Sequence, residues 1–433
     1  MSVTTPAAPD RTSAPVSEAV RNLKVQPAET ASLDNGIPVY SVNAGFQDLV
    51  RIEFLFRNRS FDPSAPLLNT SVNRLLTEGT RHHSALRLAE MIDDVGAFVE
   101  TEESSDACSV VLYTLNKHLD KMLPVVRELI TEADFPEPEL KVFTTKQKQR
   151  LVVENEKVNS IARRSFSKLL FGNAHPYGYY VKPEDYDSLT RESLLTYHAR
   201  HYTPENCSIL VAGKIHASTL QGLNTYFGSS GWSRGVSRLP SFPPLPEMTE
   251  KSVFLHKEGA LQSAIRIGRR IITRSHPDYP GLSVLNTLLG GYFGSRLMSN
   301  IREDKGYTYG IGSAVVSLSA AGYFFISTEV GADVTSAALD EIYKEVELLR
   351  REAVDQEELA MVRNYMMGSF LKGIDGPFAL IDRFKTIHLS GLDYDYFDRY
   401  LRTLESIGPE ELKDLAVRYF DRNDLCELVV GIK

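Results

Sequence analysis

The sequence predicts an α+β protein made of two tandem copies of one domain, each an antiparallel-rich sheet with helices packed on one face. Three observations carry this. First, residues 188–213, SLTRESLLTYHARHYTPENCSILVAG, pair without a gap with residues 406–431, SIGPEELKDLAVRYFDRNDLCELVVG, at a constant offset of 218. Ser188, Glu192, Leu194, Arg200, Leu210, Val211 and Gly213 recur as Ser406, Glu410, Leu412, Arg418, Leu428, Val429 and Gly431. Helix period, polar turn and terminal apolar strand agree in one order, the mark of an internal duplication. Second, 433 residues are too many for one comfortable core and suit two domains of about 200 residues. Third, Pro240, Pro243, Pro244 and Pro246 break every periodic pattern between the copies. The expected division is a lead-in over 1–30, extended or mobile, a first domain over 31–234, a linker over 235–249 and a second domain over 250–433.

The elements follow the same order in both copies. Ser32-Leu33-Asp34-Asn35-Gly36 reads as a hairpin-type turn between strand-like segments. Val50, Ile52, Phe54 and Phe56 alternate with Arg51, Glu53 and Arg57, which predicts a half-buried strand. Leu86, Ala89, Ile92 and Val95 have helical spacing that stops at Gly96. A strand is expected at 109–113, then helical stretches near 117–132 and over 137–171. In the second copy a strand is expected at 261–271 and helices across 279–290 and 294–305. A strand at 321–330 and a helix through Leu339, Ile342, Val346 and Leu349 follow. Asp355 with Glu358 reads as a capping box opening a helix through Leu359, Val362, Met366 and Phe370.

Composition narrows the function. An apolar fraction of 42% with 24% charged residues is ordinary for a globular protein. A formal charge of −8 argues against nucleic-acid and anionic-membrane partners, which require a basic face. No run approaches a membrane span, and the first 22 residues lack the apolar core of a secretory signal. Cys108, Cys207 and Cys426 are scattered and odd in number, and read as small buried hydrophobes. A cytoplasmic location is the resulting expectation.

Five segments carry a family resemblance: SLDNGIPVY (32–40), LLTEGT (75–80), GNAHPYG (172–178), YTPENCSILVAG (202–213) and GGYFGSRLMSNIREDKGYTYG (290–310). In this order they resemble the pitrilysin/insulinase family of zinc metallopeptidases, which includes mitochondrial processing peptidase, over roughly residues 30–433. The resemblance implies the LuxS/processing-peptidase-like metalloenzyme fold, with four such domains closing as a clamshell around an unfolded peptide. A two-domain chain supplies half of that shell.

Peptide-cutting members of the family carry an inverted motif, H-x-x-E-H, ending five residues before the Gly-Thr of the LLTEGT-like segment. Counting back from Gly79 places those positions at Thr70, Asn73 and Arg74. A Thr hydroxyl is a poor Zn²⁺ ligand, an Asn amide takes no proton from water, and Arg74 puts a fixed positive charge where a dication would sit. The family's third ligand would fall near Leu151, with Glu154 and Glu156 close by. No relocated metal site stands out. His82 and His83 are adjacent and point to different faces, reading as solvated surface. His198 and His201 lie three apart, and His201 matches Tyr419 of the second copy. His175 belongs to a structural turn. Gly290-Gly291-x-x-Gly294-Ser295 lacks a P-loop's Lys and reads as a helix-opening turn.

Arg302 and Tyr309 match, seven residues apart, the Arg and Tyr that the family contributes from the domain opposite its zinc. Alignment of the copies on Gly96 and Gly306 puts Ile92 and Val99 at the equivalent places, so the pair belongs to the second copy alone. The resemblance gives these two groups the scissile carbonyl and the developing oxyanion as targets. On residue type alone, Arg302 beside Glu303 and Asp304 is a salt-bridged helix end and Tyr309 fills a half-buried strand. The expected function is that of a metal-free subunit, with no cofactor of its own. It would pair with a half-length chain carrying H-x-x-E-H and zinc, and act on unfolded peptide bound as an added strand. The alternative is a non-catalytic scaffold that self-associates or braces another complex.

Overall fold

The computed structural model describes residues 12, 23–58, 61–229, 231–232, 242–248 and 250–432. The first half runs β1 (Glu29–Ser32), β2 (Pro38–Asn43), β3 (Leu49–Arg57), α1 (Leu68–Leu75), α2 (Ala85–Asp93), β4 (Phe98–Glu103), β5 (Ala107–Leu115) and α3 (Leu119–Thr131). It continues through α4 (Glu137–Glu154), α5 (Val158–Phe171), α6 (Arg191–His201), β6 (Cys207–Gly213) and α7 (Ala217–Phe227). The second half runs β7 (Ser252–His256), β8 (Gln262–Ile271), α8 (Tyr279–Asn286), β9 (Ile311–Ser317), β10 (Gly322–Gly331) and α9 (Thr335–Arg351). It closes with α10 (Gln356–Lys372), α11 (Gly376–Leu389), α12 (Asp395–Ser406), α13 (Pro409–Tyr419) and β11 (Cys426–Gly431). Most of the expected linker and the first 22 residues, Thr12 apart, lie outside the described residues.

The two sheets share one topology. The first has the order β1-β2-β6-β3-β5-β4 and the second β7-β11-β8-β10-β9. In each, the closing strand runs parallel to the opening one and antiparallel to the long strand beside it. The offset of 218 holds at element level: α6 at 191–201 becomes α13 at 409–419, and the 3₁₀ turn at 204–206 becomes that at 422–424. β1, drawn from the end of the lead-in, is an addition to the first sheet only. The turn at 33–36 forms as expected, with Gly36 at a φ of +92° and its N–H donated to the Leu33 carbonyl at 2.8 Å.

The helical stretch expected over 137–171 breaks at 155–157 into α4 and α5, and the break has a large consequence. α5 leaves its own half and covers the outer face of the second sheet, where Ala162, Phe166 and Leu170 pack with Ala264, Leu428 and Val430. α11, which is α5 displaced by 218 (158 to 376, 171 to 389), crosses in return onto the outer face of the first sheet. The halves therefore exchange equivalent helices.

This exchange corrects the reading of β3. Its Val50, Ile52, Phe54 and Phe56 enter the first core as expected, but the opposite face is buried too. Arg51 is 4% and Glu53 1% exposed, because α11 lies across them. Arg51 bonds Asp382 at 2.6 Å and Glu53 at 2.9 Å, while Lys385 reaches Glu53 at 2.5 Å and Glu102 at 3.0 Å. Arg57 donates to the last carbonyls of α11, His388 and Leu389, at 2.7 and 3.3 Å. Charged alternation on a strand thus encodes an ion-paired interface here. The Asp355 cap also forms, but Glu358 turns away from it to bind Arg296 bidentately at 2.6 and 2.8 Å. Among the described residues no helix is long and apolar enough to cross a membrane, and all three cysteines are buried and free.

Two outcomes are expected. Glu53→Gln leaves Arg51 and Lys385 without their buried counter-charge, so urea unfolding should show a loss of roughly 3 kcal/mol. A loss under about 1 kcal/mol would contradict the role given to this network. Second, burial with Arg57 nearby holds the His388 pKa down to about 4, and burial brings His198 to about 4 as well. Unfolded imidazole titrates near 6.5, so below that the unfolded state binds more protons. The contribution of these histidines is complete above pH 6.5 and is lost as pH falls toward 4, by roughly 2–3 kcal/mol each. Urea midpoints at pH 7.5, 6.0 and 5.0 should fall in that order, and His388→Asn should flatten the slope.

Candidate functional site

The positions expected for the zinc motif lie on α1, and the residue at each makes a different contact. Thr70 Oγ donates to the Leu67 carbonyl at 3.3 Å, within its own helix. Asn73 is fully buried; its Nδ2 donates to the Glu102 carbonyl on edge strand β4 at 2.7 Å and its Oδ1 accepts from the Tyr202 hydroxyl at 2.9 Å. Arg74 is ion-paired with Glu103 and donates to Gln147 at 3.4 Å. Leu151 is buried, Glu154 pairs with Arg150 at 3.2 Å, and Glu156 turns to Lys257 at 2.6 Å. Among the described residues no group of three or more His, Cys, Asp or Glu could hold a metal. An amide, a hydroxyl and a guanidinium do not make a zinc donor set, and the one nearby carboxylate is spent on that guanidinium.

One repeat escaped the sequence reading. Asn73-Arg74-Leu75-Leu76 recurs as Asn286-Thr287-Leu288-Leu289, at an offset of 213. Asn286 Nδ2 donates to the Ser313 carbonyl of β9 at 3.3 Å, as Asn73 does to β4. In both halves an asparagine ties the first helix to the edge strand, satisfying a carbonyl that would otherwise offer a free sheet edge. The shared N-x-L-L was visible in the sequence.

The histidines are structural. His82 and His83 bond Glu132 and Glu128 at 2.7 and 2.9 Å, so their surface position is tied to α3. His198 is buried against the Ile130 carbonyl at 2.8 Å, and His201 stacks on Tyr197. His175 is buried in the turn at 172–178, its Nδ1 accepting from the Tyr177 amide at 3.2 Å.

Arg302 and Tyr309 sit in the second half, on a wide π-wound turn and the loop after it. After α8 the chain is π-wound over Thr287–Gly291 and again over Met298–Asp304. Gly290 is required because a Cβ there would lie 2.7 Å from the Ser313 amide of β9. The second π segment is fixed by Asn300, which donates to Glu341 and Glu345 at 2.9 and 2.7 Å. Arg302 has no ion pair among the described residues; its guanidinium lies 4.8 Å over the ring of Phe293, itself 61% exposed. Gly306, at a φ of +68°, reverses the chain, as Gly96 does at +61° in the first half.

Thr308 then pins the loop. Its Oγ donates to the Glu329 carbonyl at 2.7 Å, accepts the Gly310 amide at 3.1 Å and meets Thr328 Oγ at 3.0 Å. Tyr309, one residue on, is 93% exposed and has no hydrogen bond among the described residues. Neither bland expectation holds: Arg302 is not salt-bridged and Tyr309 does not fill a strand. The equivalent places in the first half, Ile92 and Val99, line an apolar groove of about 500 Å³ beside exposed Leu86 and Phe98. No hydrogen bond, ion pair or ring contact joins the α1 set to Arg302 or Tyr309 among the described residues.

Comparison with known proteins places this geometry. The family described as "Peptidase M16 inactive domain" matches residues 188–366. An uncharacterized zinc protease, YmxG, of Bacillus subtilis is 26% identical over 83% of this chain and 87% of its own. A protein named non-peptidase homolog YmxG, of Helicobacter pylori, is 21% identical over 83% of each. The crystal structure of a peptidase M16 inactive domain from Pseudomonas fluorescens superposes with a TM-score of 0.84 at 20% identity, covering 94% of this chain and 98% of that one. The periplasmic protease PqqL of Escherichia coli superposes with a TM-score of 0.79 at 14% identity, over all of this chain and 49% of its own.

The asparagine clasp is testable. Asn73→Asp replaces a buried amide donor with a carboxylate facing the Glu102 carbonyl, and should cost roughly 3 kcal/mol in urea unfolding. Thr70→Val, which loses only a contact within its own helix, should stay within about 1 kcal/mol. Equal stability of the two variants would remove the clasp from the account.

Proposed function

We propose that this chain, which resembles the M16 peptidases in sequence and fold and lacks the inverted zinc motif at the matching positions, is the metal-free subunit of a heteromeric peptidase. Zinc and the H-x-x-E-H motif would belong to a homologous half-length partner. This chain would supply Arg302 and Tyr309 to an unfolded peptide held between the two. The observation that carries the reading is Tyr309: a large side chain 93% exposed, on a loop fixed by Thr308, with no hydrogen bond among the described residues. Members of the family pair with homologous subunits, and this chain matches half the length of PqqL, which favours a partner over self-sufficiency.

The chemistry asked of the pair is binding and orientation. The Tyr309 phenol would donate a hydrogen bond to the carbonyl oxygen of the bond being cut. Arg302, stacked on Phe293 and without an ion pair among the described residues, would offset negative charge as it grows on that oxygen. A fixed loop matters because donors already in place need no reorganisation during the reaction. The partner's metal would supply the activated water.

A native pull-down from the source cell should recover a near-stoichiometric half-length chain with H-x-x-E-H. With the pair reconstituted, Tyr309→Phe and Arg302→Ala should each lower kcat/KM for an unstructured peptide by about 10²-fold. Circular dichroism of both variants should be unchanged. Full turnover in both variants would overturn the proposal. Recovery of this chain alone, or within an unrelated assembly, would favour the scaffold reading.

A further inference from the structure

The helix exchange closes on one side of the molecule and stays open on the other. On the first sheet, Glu53 is sealed by α11 through Lys385 and Arg51. On the second sheet the same place is held by Arg266: Ile52 pairs with Val211, and Ile265 pairs with Val429, which is Val211 displaced by 218. The residue after each is therefore equivalent. No carboxylate reaches Arg266 at ion-pair distance among the described residues. Its guanidinium donates to Asn159 Oδ1 at 2.7 Å and lies 5.4 Å over the Phe325 ring. Asn159 Nδ2 in turn donates to Glu329 at 2.7 Å.

Around these groups lies a cleft of about 830 Å³, between the start of α5 and the β7–β8 turn. Exposed Arg163 lines it and faces Arg266, and it too has no ion pair among the described residues. Burial, and then the nearby Arg163, holds the Arg266 pKa below its ordinary value. Lys257 is engaged by Glu156 at 2.6 Å, and Glu258 stands on the turn opposite. Leu261, 89% exposed, adds an apolar rim. The cleft also adjoins the Tyr309 loop: the Glu329 that lines it carries the carbonyl to which Thr308 is fastened.

We propose that this cleft receives a carboxylate of the bound peptide, held between Arg163 and Arg266. An incoming carboxylate would give two facing arginines the shared counter-charge that Glu53 finds in Arg51 and Lys385 across the molecule. Glu329, held by Asn159, sets the far wall, so a second negative group would be resisted. The inference rests on the peptide-binding reading above and adds a charge preference to it.

The test is fluorescence anisotropy of the full chain with three versions of one unstructured, otherwise neutral peptide. One has a free C-terminal carboxylate, one is amidated, and one is amidated with a single internal Asp. One acidic version should bind about tenfold tighter than the neutral amide. Whichever does so identifies the source as a chain end or a side chain. Arg163→Ala, at an exposed position, should abolish the difference, and Arg163→Lys should keep part of it. Equal binding of all three peptides, or an unchanged preference in Arg163→Ala, overturns the cleft assignment and leaves the peptide-binding reading standing. Binding of none, with the half-length partner present as well as without it, overturns both.

Discussion

The exchange of α5 and α11 is the constraint on which the rest of the molecule depends. Each sheet buries one face against helices of its own half and would expose the other. Crossing one helix from each half covers both outer faces with equivalent elements, so each half completes the other. The turn at 172–178 secures the arrangement. Tyr177 and the Ser319 amide both bond Asp106, and the Ala320 amide donates to Tyr177 at 3.1 Å, joining the β4–β5 turn of the first half to the β9–β10 turn of the second. Gly-x-x-His-Pro-Tyr-Gly is thus a fastener: its histidine and tyrosine are buried and spent on shape.

That arrangement needs no metal site. Core, sheet edges and helix exchange use none of the zinc chemistry. Asn73, at the place expected for the motif's glutamate, holds an edge strand through its amide. Arg74, at the place expected for the motif's second histidine, neutralises Glu103. Both residues satisfy groups that would otherwise be left unpaired beside a buried helix. In its N-x-L-L segment and its clasp, the first half resembles the second, which shares the fold and makes the same bond through Asn286.

How much was legible follows from which signals are local. The duplication, the turn at 33–36 and the Asp355 cap need only neighbouring residues, and the sequence displays them. The burial of Arg51 and Glu53 depends on Asp382 and Lys385, more than 300 positions away, so a strand of charged alternation read as half-exposed. Lone charges on a strand look alike whether water or a distant helix faces them. The break between α4 and α5 was missed because Asn155, Glu156 and Lys157 carry no Pro or Gly to announce it. Ile92 and Val99 could be placed opposite Arg302 and Tyr309 because Gly96 and Gly306 both need a positive φ, and a glycine so required is a fixed point in an alignment. Phe293 and Thr308 gave no signal, since an aromatic before a Gly-Ser and a threonine between two tyrosines have no periodicity.

The contrast between the two halves bears on what such a chain is for. On α1 of the first half, Thr70, Asn73 and Arg74 are each bonded within the chain. In the second half the reverse holds. Arg302 lies on an aromatic ring and Arg266 on Asn159 and Phe325, neither with an ion pair among the described residues, and Tyr309 stands in water. Leaving such groups unpaired while three hydrogen bonds and a π-wound turn hold their backbone in place gains nothing for folding. Stability alone would have paired the arginines with acids, as the equivalent face of the first half does with Arg51, Glu53 and Lys385. A surface that is rigid in backbone and unsatisfied in side chain fits an external ligand, and its placement on one half alone fits a division of labour between two homologous chains.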